Sequence, residues 1–378
     1  MKRVLVVLPT YNEADNIEPM VGAIFKVAAK LPEHELDILV VDDNSPDGTA
    51  ERVVGLQKKR TDLHLVKGRK QGLGKAYRRG FKHGLGLKPY FAVVMMDADF
   101  SHDPKTIPSL LKALASADYV IGSRYVRGGG TSGNWPTKRL MQSKLANFLA
   151  RQLVGLKIDV RDLTSGFKAI RATALKQIPL DDIPASGYVF QVSLLHAVSK
   201  QGFRVREVPI TFGDRLAGQS KLGLRDMVEF LYLTYRLNPN STVRRLLRFG
   251  LVGAAGTLVN LAVLVGLVRL AHLSVWLGAA IAIEVSIISN FSLNHLYTFR
   301  LVRIAGPKDS LSSLLTKLFR YNLITLGGAA ITYGVFALGY KGLGLHYIVA
   351  DLIAIILAMA WNYWMSVRIV WRVVDKPL

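Results

Sequence analysis

Two patterns of hydrophobicity share this chain, and they change over between residues 212 and 249. In the first part, short apolar runs alternate with helical stretches. Residues 4–8, 38–41, 63–66, 91–96 and 119–121 are runs of mostly aliphatic side chains, and stretches such as 16–30 and 74–83 between them read as helices. Apolar strands separated by helices predict a buried, mainly parallel sheet. Asp103 followed by Pro104 reads as a helix N-cap with proline in the first turn. In the second part, four apolar segments lie at about 249–268, 275–293, 321–340 and 345–365. Each is close to the ~20 residues that cross a bilayer. The expected architecture is a Rossmann-like α/β catalytic domain followed by an all-α domain of four transmembrane helices.

Polar clusters fall where the apolar runs stop. Pro9-Thr10-Tyr11-Asn12-Glu13 follows the first run, Asp42-Asp43-Asn44-Ser45 the second, and Asp97-Ala98-Asp99 the fourth. In a parallel sheet, ligands gather beyond the C-terminal strand ends. One such cluster reads as a turn; three at successive strand ends read as one site. Asp97 and Asp99 are carboxylates two positions apart. Mg²⁺ is commonly held by one or two carboxylates together with substrate phosphates. A metal there would stabilise a departing diphosphate.

Charge narrows the partners. The 378 residues carry a formal net charge of +22. That excess suits phosphorylated substrates or a lipid headgroup surface. Nucleic acid is disfavoured because no nucleic-acid motif accompanies the charge. The chain has no cysteine, which excludes a disulfide framework and a thiolate metal site. The first ten residues read as a strand, not as a signal peptide, which places this end in the cytoplasm.

The segments 41–49 (Val-Asp-Asp-Asn-Ser-Pro-Asp-Gly-Thr), 96–104 (Met-Asp-Ala-Asp-Phe-Ser-His-Asp-Pro), 122–125 (Gly-Ser-Arg-Tyr), 162–167 (Asp-Leu-Thr-Ser-Gly-Phe) and 220–223 (Ser-Lys-Leu-Gly) resemble the dolichyl-phosphate mannose synthases of glycosyltransferase family 2. The resemblance covers roughly residues 1–235 and keeps the order of the motifs. It implies a GT-A fold, GDP-mannose as donor, dolichyl or another polyprenyl phosphate as acceptor, and a divalent cation, Mg²⁺ or Mn²⁺. It also implies roles for residues. Pro9, Tyr11 and Glu13 would line the nucleoside pocket, with Asp42 on the base or ribose and the backbone near Val40 closing it. Asp97 and Ala98 would sit against the ribose and diphosphate. Asp99 would be the main metal ligand, with Asp97 beside it and Ser101 in a weaker position. Arg124 and Arg139 would take the acceptor phosphate, with Ser143 one helical turn beyond Arg139. Arg215 and Lys221 would clamp the donor diphosphate. Asp162 is the carboxylate available if a base is used, or else a turn residue. The expected reaction is inverting transfer to an acceptor that is already an anion, with Asp99, Arg124 and Arg139 as the catalytic groups.

The transmembrane part resembles the small four-span GtrA-like proteins through residues 248–253 (Arg-Phe-Gly-Leu-Val-Gly), Asn260 and residues 290–295 (Asn-Phe-Ser-Leu-Asn-His). Arg244, Arg245 and Arg248 precede the first span, and Arg300, Arg303, Lys308, Lys317 and Arg320 lie between the second and third. Arg368, Arg372 and Lys376 follow the fourth. The positive-inside rule then sets the catalytic domain and both termini in the cytoplasm. The expected divisions are 1–221 for the catalytic domain, 222–243 for an amphipathic region and 244–378 for the membrane domain. Residues 222–237 fit two placements, at the membrane interface or packed on the catalytic domain. Two other readings of the whole chain remain: a UDP-glucose-dependent polyprenyl-phosphate glucosyltransferase, and a lipid-linked-sugar transporter with a nucleotide-binding regulatory domain. A processive polysaccharide synthase is disfavoured, since the Gln-x-x-Arg-Trp motif is absent.

Overall fold

The structure, a computed structural model, describes residues 1–132, 137–156, 158–184, 187–213, 224–238, 241–300 and 310–373. It divides into two compact units, Met1–Pro239 and Asn240–Pro377. Strands of the first unit are β1 (Lys2–Thr10), β2 (His34–Asp42), β3 (Leu63–Lys67), β4 (Ala92–Met95), β5 (Tyr119–Ser123), β6 (Gly130–Thr131), β7 (Lys168–Arg171), β8 (Val205–Pro209) and β9 (Thr211–Phe212). Its helices are α1 (Ala14–Ala28), α2 (Thr49–Gln57), α3 (Leu73–Leu87), α4 (Ile107–Ala113), α5 (Thr137–Val154), α6 (Ala172–Lys176), α7 (Gly187–Lys200) and α8 (Leu224–Leu237).

Among the described residues, seven strands form one sheet in the order β3-β2-β1-β4-β7-β5-β8. All neighbours run parallel except β7, which is antiparallel to β4 and β5. The pleat explains the continuous apolar runs. Leu5 and Val7 point into one core with Leu39, Val41, Val93 and Met95, under α3, α5 and α7. Val4, Val6 and Leu8 point into the other with Ile38, Val40 and Val94, under α1 and α4. Both faces are dry, so no polar alternation survives. Asp103 caps as expected, its Oδ1 accepting from Lys105 N at 2.9 Å with Pro104 in the first turn.

Helix α8 packs against α5 and α7, and Phe230 enters the core beneath them. Packing on the first unit, one of the two placements the sequence left open, is seen for residues 224–238, whereas residues 241–243 belong to the second unit.

Strand β7 carries a lysine into that interior. Lys168 is fully buried, and its Nζ donates to Gln191 Oε1 at 2.6 Å and to the Gln191 carbonyl at 3.1 Å. Burial pushes its ammonium down to about 7, against a smaller upward pull from Asp162.

The second unit holds α9 (Thr242–Arg269), α10 (Val275–Leu293), α11 (Leu311–Ala337) and α12 (Tyr347–Met365). Counting their π-helical ends, these are four helices, among the described residues, long and apolar enough to cross a membrane. The sequence placed the first and third spans to start at 249 and 321. The helices begin earlier because intrahelical hydrogen bonding continues through Arg244, Arg245 and Arg248 in α9 and through Lys317 and Arg320 in α11. Charge shortens the hydropathy signal without ending the helix. Ser241 and Ser310 cap these starts by accepting from Arg244 N and Ser313 N.

Two stability predictions follow from the first unit. Helix α3 rides close on the sheet at Gly80, where a methyl would sit 2.8 Å from side-chain methyls of Val7 and Val41. Gly55 in α2 faces open space. Gly80→Ala should therefore destabilise the purified protein by ~1–3 kcal/mol through overpacking. Gly55→Ala should stabilise it by roughly 0.5–1 kcal/mol through helix propensity. Thermal melts showing one sign for both substitutions would refute this packing. For Lys168, the folded-state pKa of about 7 lies below the ordinary 10.5. Between those values the unfolded chain binds more protons, so stability should climb with pH, by up to ~1.4 kcal/mol per unit. Denaturant titrations at pH 7 and pH 9 should show that gain in the wild type but not in Lys168→Met.

Candidate active site

Register brings the strand ends together. Thr10, Asp42 and Lys67 stand abreast at the ends of β1, β2 and β3. Val7 faces Met95 of β4, so Asp97 falls just past the ladder on the same edge. The three polar clusters do meet there. Each turn contains one non-glycine residue with left-handed backbone: Asn12 (φ 60), Asn44 (φ 59) and Phe100 (φ 63). Asparagine accepts that conformation readily, whereas a bulky aromatic residue is strained in it.

The first two loops are knitted into one floor. Asn12 N donates to Ser45 Oγ, and Glu13 N to Thr49 Oγ1, each at 3.0 Å. Asp47 accepts from Ala14 N, Thr49 N and Thr49 Oγ1. Burial pushes its carboxyl up, but these hydrogen bonds outweigh it and hold the group below its usual range. Asp43 pairs with Arg79 of α3.

Asp42 is fully buried and accepts from Thr10 Oγ1 at 3.0 Å, Ser45 Oγ at 2.6 Å and Ser45 N at 2.9 Å. Those three bonds fix the carboxylate in the loop and organise the turn after β2. Val40 is buried in mid-strand with its side chain in the core. Pro9 lies at the end of β1. Tyr11 is partly exposed beneath the Lys70 ammonium, 3.5 Å from its ring centre. Glu13 accepts from Asn16 Nδ2 at 2.7 Å.

Beyond β4, Asp97 remains partly exposed while Ala98 and Asp99 are buried. Ser101 N donates to Asp99 Oδ1 at 3.0 Å. The Ser101 hydroxyl is buried, and none of the described residues pairs with it. Among the described residues, no three His, Cys, Asp or Glu side chains converge on one point. Two carboxylates beside an unsatisfied hydroxyl fit a hard divalent cation that takes its remaining ligands from a diphosphate and water. They do not form a closed structural metal site.

His102 went unnoticed in the sequence. Its Nδ1 accepts from Asp97 N at 3.0 Å, which puts a neutral ring's proton on Nε2. The ring stacks on Phe167 at 5.0 Å and meets Phe212 edge-on at 5.3 Å. A methyl at Gly166 would lie 3.2 Å from the His102 ring and 3.6 Å from an Asp97 oxygen. Glycine at 166 thus lets the 162–167 segment close against the Asp97 turn.

Of the candidates expected on the acceptor phosphate, Arg124 contacts Thr164. Arg124, at the end of β5, forms a two-pronged pair with Asp162, Nε to Oδ2 and Nη2 to Oδ1, both at 2.7 Å. Arg124 Nη2 also donates to Thr164 Oγ1 at 2.9 Å. Asp162 is fully buried, so it anchors Arg124 and is not a base open to substrate. Ser143 on α5 accepts from the Tyr125 hydroxyl at 2.6 Å. Arg139 sits half-buried in the first turn of the same helix.

Asn147, one turn beyond Ser143, also escaped the sequence reading. Its Nδ2 donates to Thr164 Oγ1 and to the Ser143 carbonyl, both at 3.0 Å. Its Oδ1 accepts from Leu163 N at 2.7 Å and Thr164 N at 3.3 Å. One buried amide thereby fixes α5 to the segment that holds Arg124. Its helical face also carries Ser143, Lys144 and Arg151, so no pattern in the sequence set it apart. Arg215 and Lys221, expected on the donor diphosphate, lie outside the described residues.

Comparison with known proteins matches both parts of the chain. Residues 5–179 match glycosyl transferase family 2, and residues 248–371 match the GtrA/DPMS transmembrane domain. A dolichol-phosphate mannosyltransferase of Pyrococcus furiosus is 33% identical over 371 residues, spanning 98% of this chain and 99% of its own length. A polyprenol monophosphomannose synthase of Mycolicibacterium smegmatis is 42% identical over 234 residues, 61% of this chain and 85% of the relative. An undecaprenyl-phosphate mannosyltransferase of Micrococcus luteus is 42% identical over 221 residues, 58% of this chain and 87% of the relative. The chain is an integral membrane protein that belongs to the dolichol-phosphate mannosyltransferase family, within glycosyl transferase family 2, with a C-terminal GtrA/DPMS transmembrane domain.

Proposed function

We propose that this protein transfers mannose from GDP-mannose to dolichyl or another polyprenyl phosphate, with inversion, at the cytoplasmic face of its membrane. The observation that carries the reading is the Asp97/Asp99 pair with the unsatisfied Ser101 hydroxyl, set on the edge where three parallel strands end. The names of the relatives support mannose as the sugar. The cationic flanks of the spans support a cytoplasmic catalytic unit.

The acceptor phosphate oxygen attacks the anomeric carbon while the bond from that carbon to the donor diphosphate breaks. GDP leaves with the bonding pair. The nucleophile is already anionic, so no proton has to be removed. A divalent cation, Mg²⁺ or Mn²⁺, held by Asp97 and Asp99 with Ser101 at its margin, would neutralise charge on the departing diphosphate. The rest is positioning and charge complementarity supplied by the chain. Arg139 and Ser143 face the acceptor phosphate from α5. Arg124 contributes from a fixed position, oriented by Asp162 and Thr164. Arg215 and Lys221 supply positive charge for the donor diphosphate.

Two outcomes test this. In membranes given labelled GDP-mannose, polyprenyl phosphate and Mg²⁺ or Mn²⁺, Asp99→Asn should lower turnover at least about a hundredfold, and chelation should abolish wild-type product. Wild-type rates in the variant would remove the metal reading, and product from UDP-glucose alone would overturn the donor. Asn147→Leu should raise KM for polyprenyl phosphate roughly tenfold and leave KM for GDP-mannose within about twofold, because it loosens only the acceptor helix. An equal rise in both constants would mean that Asn147 supports the whole unit instead.

A further inference from the structure

The membrane unit repeats itself. Arg248, Gly256, Asn290 and Arg300 recur as Arg320, Gly328, Asn362 and Arg372, and Phe299 recurs as Trp371, each pair 72 positions apart. The packing repeats with the sequence. Gly256 lies directly against the Asn290 amide, and Gly328 against that of Asn362. Phe249 meets Tyr363 at 5.6 Å, and their counterparts Tyr321 and Phe291 meet at 5.8 Å. The backbone repeats as well. Phe299 N donates to the Asn294 carbonyl and Trp371 N to that of Ser366, both at 2.9 Å, closing equivalent π-helical turns.

Phe299 and Trp371 are counterparts, and they stack on each other at 4.2 Å and 15°. A position that touches its own counterpart marks a two-fold axis. Each half contains two spans, so both halves start on the same side, and the axis follows the membrane normal. The unit is built as two copies of one helical hairpin fused in a single chain.

Scaffold needs common to both halves are met by residues that recur. Buried polar departures still bond within the unit, as Ser286 does to the Gly256 carbonyl at 2.8 Å, but an exposed one is not accounted for by the packing the halves share. One lies between α10 and α11, where Asn322 Nδ2 donates to Glu284 Oε2 at 3.0 Å. Their counterparts are Gly250 and Ile356. Glu284 is exposed. Within the span Val275–Thr298 it stands about 14 Å of helix from one end and about 21 Å from the other. A carboxylate at that depth costs ~2.5–3.5 kcal/mol even on insertion scales. Lipid tails offer it no donor. Ile281 and Ile288 on α10, and Phe319 and Leu326 on α11, surround the pair with exposed apolar surface.

We propose that this seam is the docking surface for a second copy of the chain. Glu284 and Asn322 of the two copies pair reciprocally across an axis along the membrane normal. The pair is self-complementary: it presents one carboxylate oxygen and one amide N–H at the same depth, so a second copy supplies the missing partner of each.

The chain has no cysteine, which makes the test clean. Full-length Ile281→Cys, reconstituted in phosphatidylethanolamine–phosphatidylglycerol vesicles, should form a disulfide-linked dimer on mild oxidation. Ile353→Cys, its exposed counterpart on the other side of the repeat, should not. Adding Glu284→Ile, the residue found at the counterpart position, should cut dimer yield about tenfold while mannosyl transfer and the thermal midpoint hold. Should Glu284→Ile misfold, Asn322→Gly gives the same comparison. Equal cross-linking at both cysteines, no cross-link at position 281 with either oxidant or a bismaleimide, or a yield indifferent to Glu284→Ile and Asn322→Gly would each overturn the proposal.

Discussion

A guanidinium and a carboxylate leave water together or not at all, and the region proposed to take the acceptor is arranged around that constraint. Stranding either partner of a buried pair costs about 3–5 kcal/mol. Asp162 is fully buried, and the Arg124 side chain is only 9% exposed. Every neighbour therefore serves to satisfy them. Thr164 accepts from Arg124, and Asn147 holds Thr164. Glu207 of β8 takes the backbone N–H groups of Arg161 and Asp162. The ends of β5 and β8, the approach to β7 and helix α5 are thus brought to one point. The same segment continues to Gly166 and His102, so the acceptor side and the Asp97 turn are mechanically joined.

The donor edge was legible in the sequence because a parallel sheet buried on both faces leaves a plain signature: an apolar run that stops abruptly at an aspartate. The turns after β1, β2 and β4 could be placed on one edge from that pattern alone. Strand β7 could not. It is four residues long, it runs against its neighbours, and it begins with Lys168, a residue that pattern reading assigns to the surface. Only the fold supplies Gln191 as its partner. For Arg124 and Asp42 the sequence shows the groups but not what holds them: Arg124 is fixed by Asp162, 38 residues away, and Asp42 by Thr10 and Ser45.

The membrane unit hid its repeat for a different reason. Apolar helices tolerate almost any aliphatic substitution at lipid-facing positions, so two copies of a hairpin drift apart wherever nothing constrains them. What persists is steric or polar. Gly256 and Gly328 persist because a side chain there would collide with an amide, and Asn290 and Asn362 persist as those amides. Phe299 and Trp371 persist as aromatics because each is the other's packing partner. A sparse set of matches at fixed spacing is what close helix packing preserves in lipid.

Phe100 connects stability with chemistry. Its left-handed backbone costs on the order of 1–3 kcal/mol, a cost that asparagine at the equivalent turns avoids. The Phe100 ring recovers part of this by packing against the core beneath the sheet. His102, held by Asp97 N and by the rings of Phe167 and Phe212, recovers more, at ~0.5–1.5 kcal/mol for each aromatic contact. The strained turn brings Ser101 back over Asp99, so its amide is bonded to the carboxylate while its hydroxyl stays unsatisfied. A relaxed turn would carry Ser101 away from the carboxylates. The aromatic cluster thus holds the turn in place before any donor binds, so its ordering cost is met in folding and not on binding.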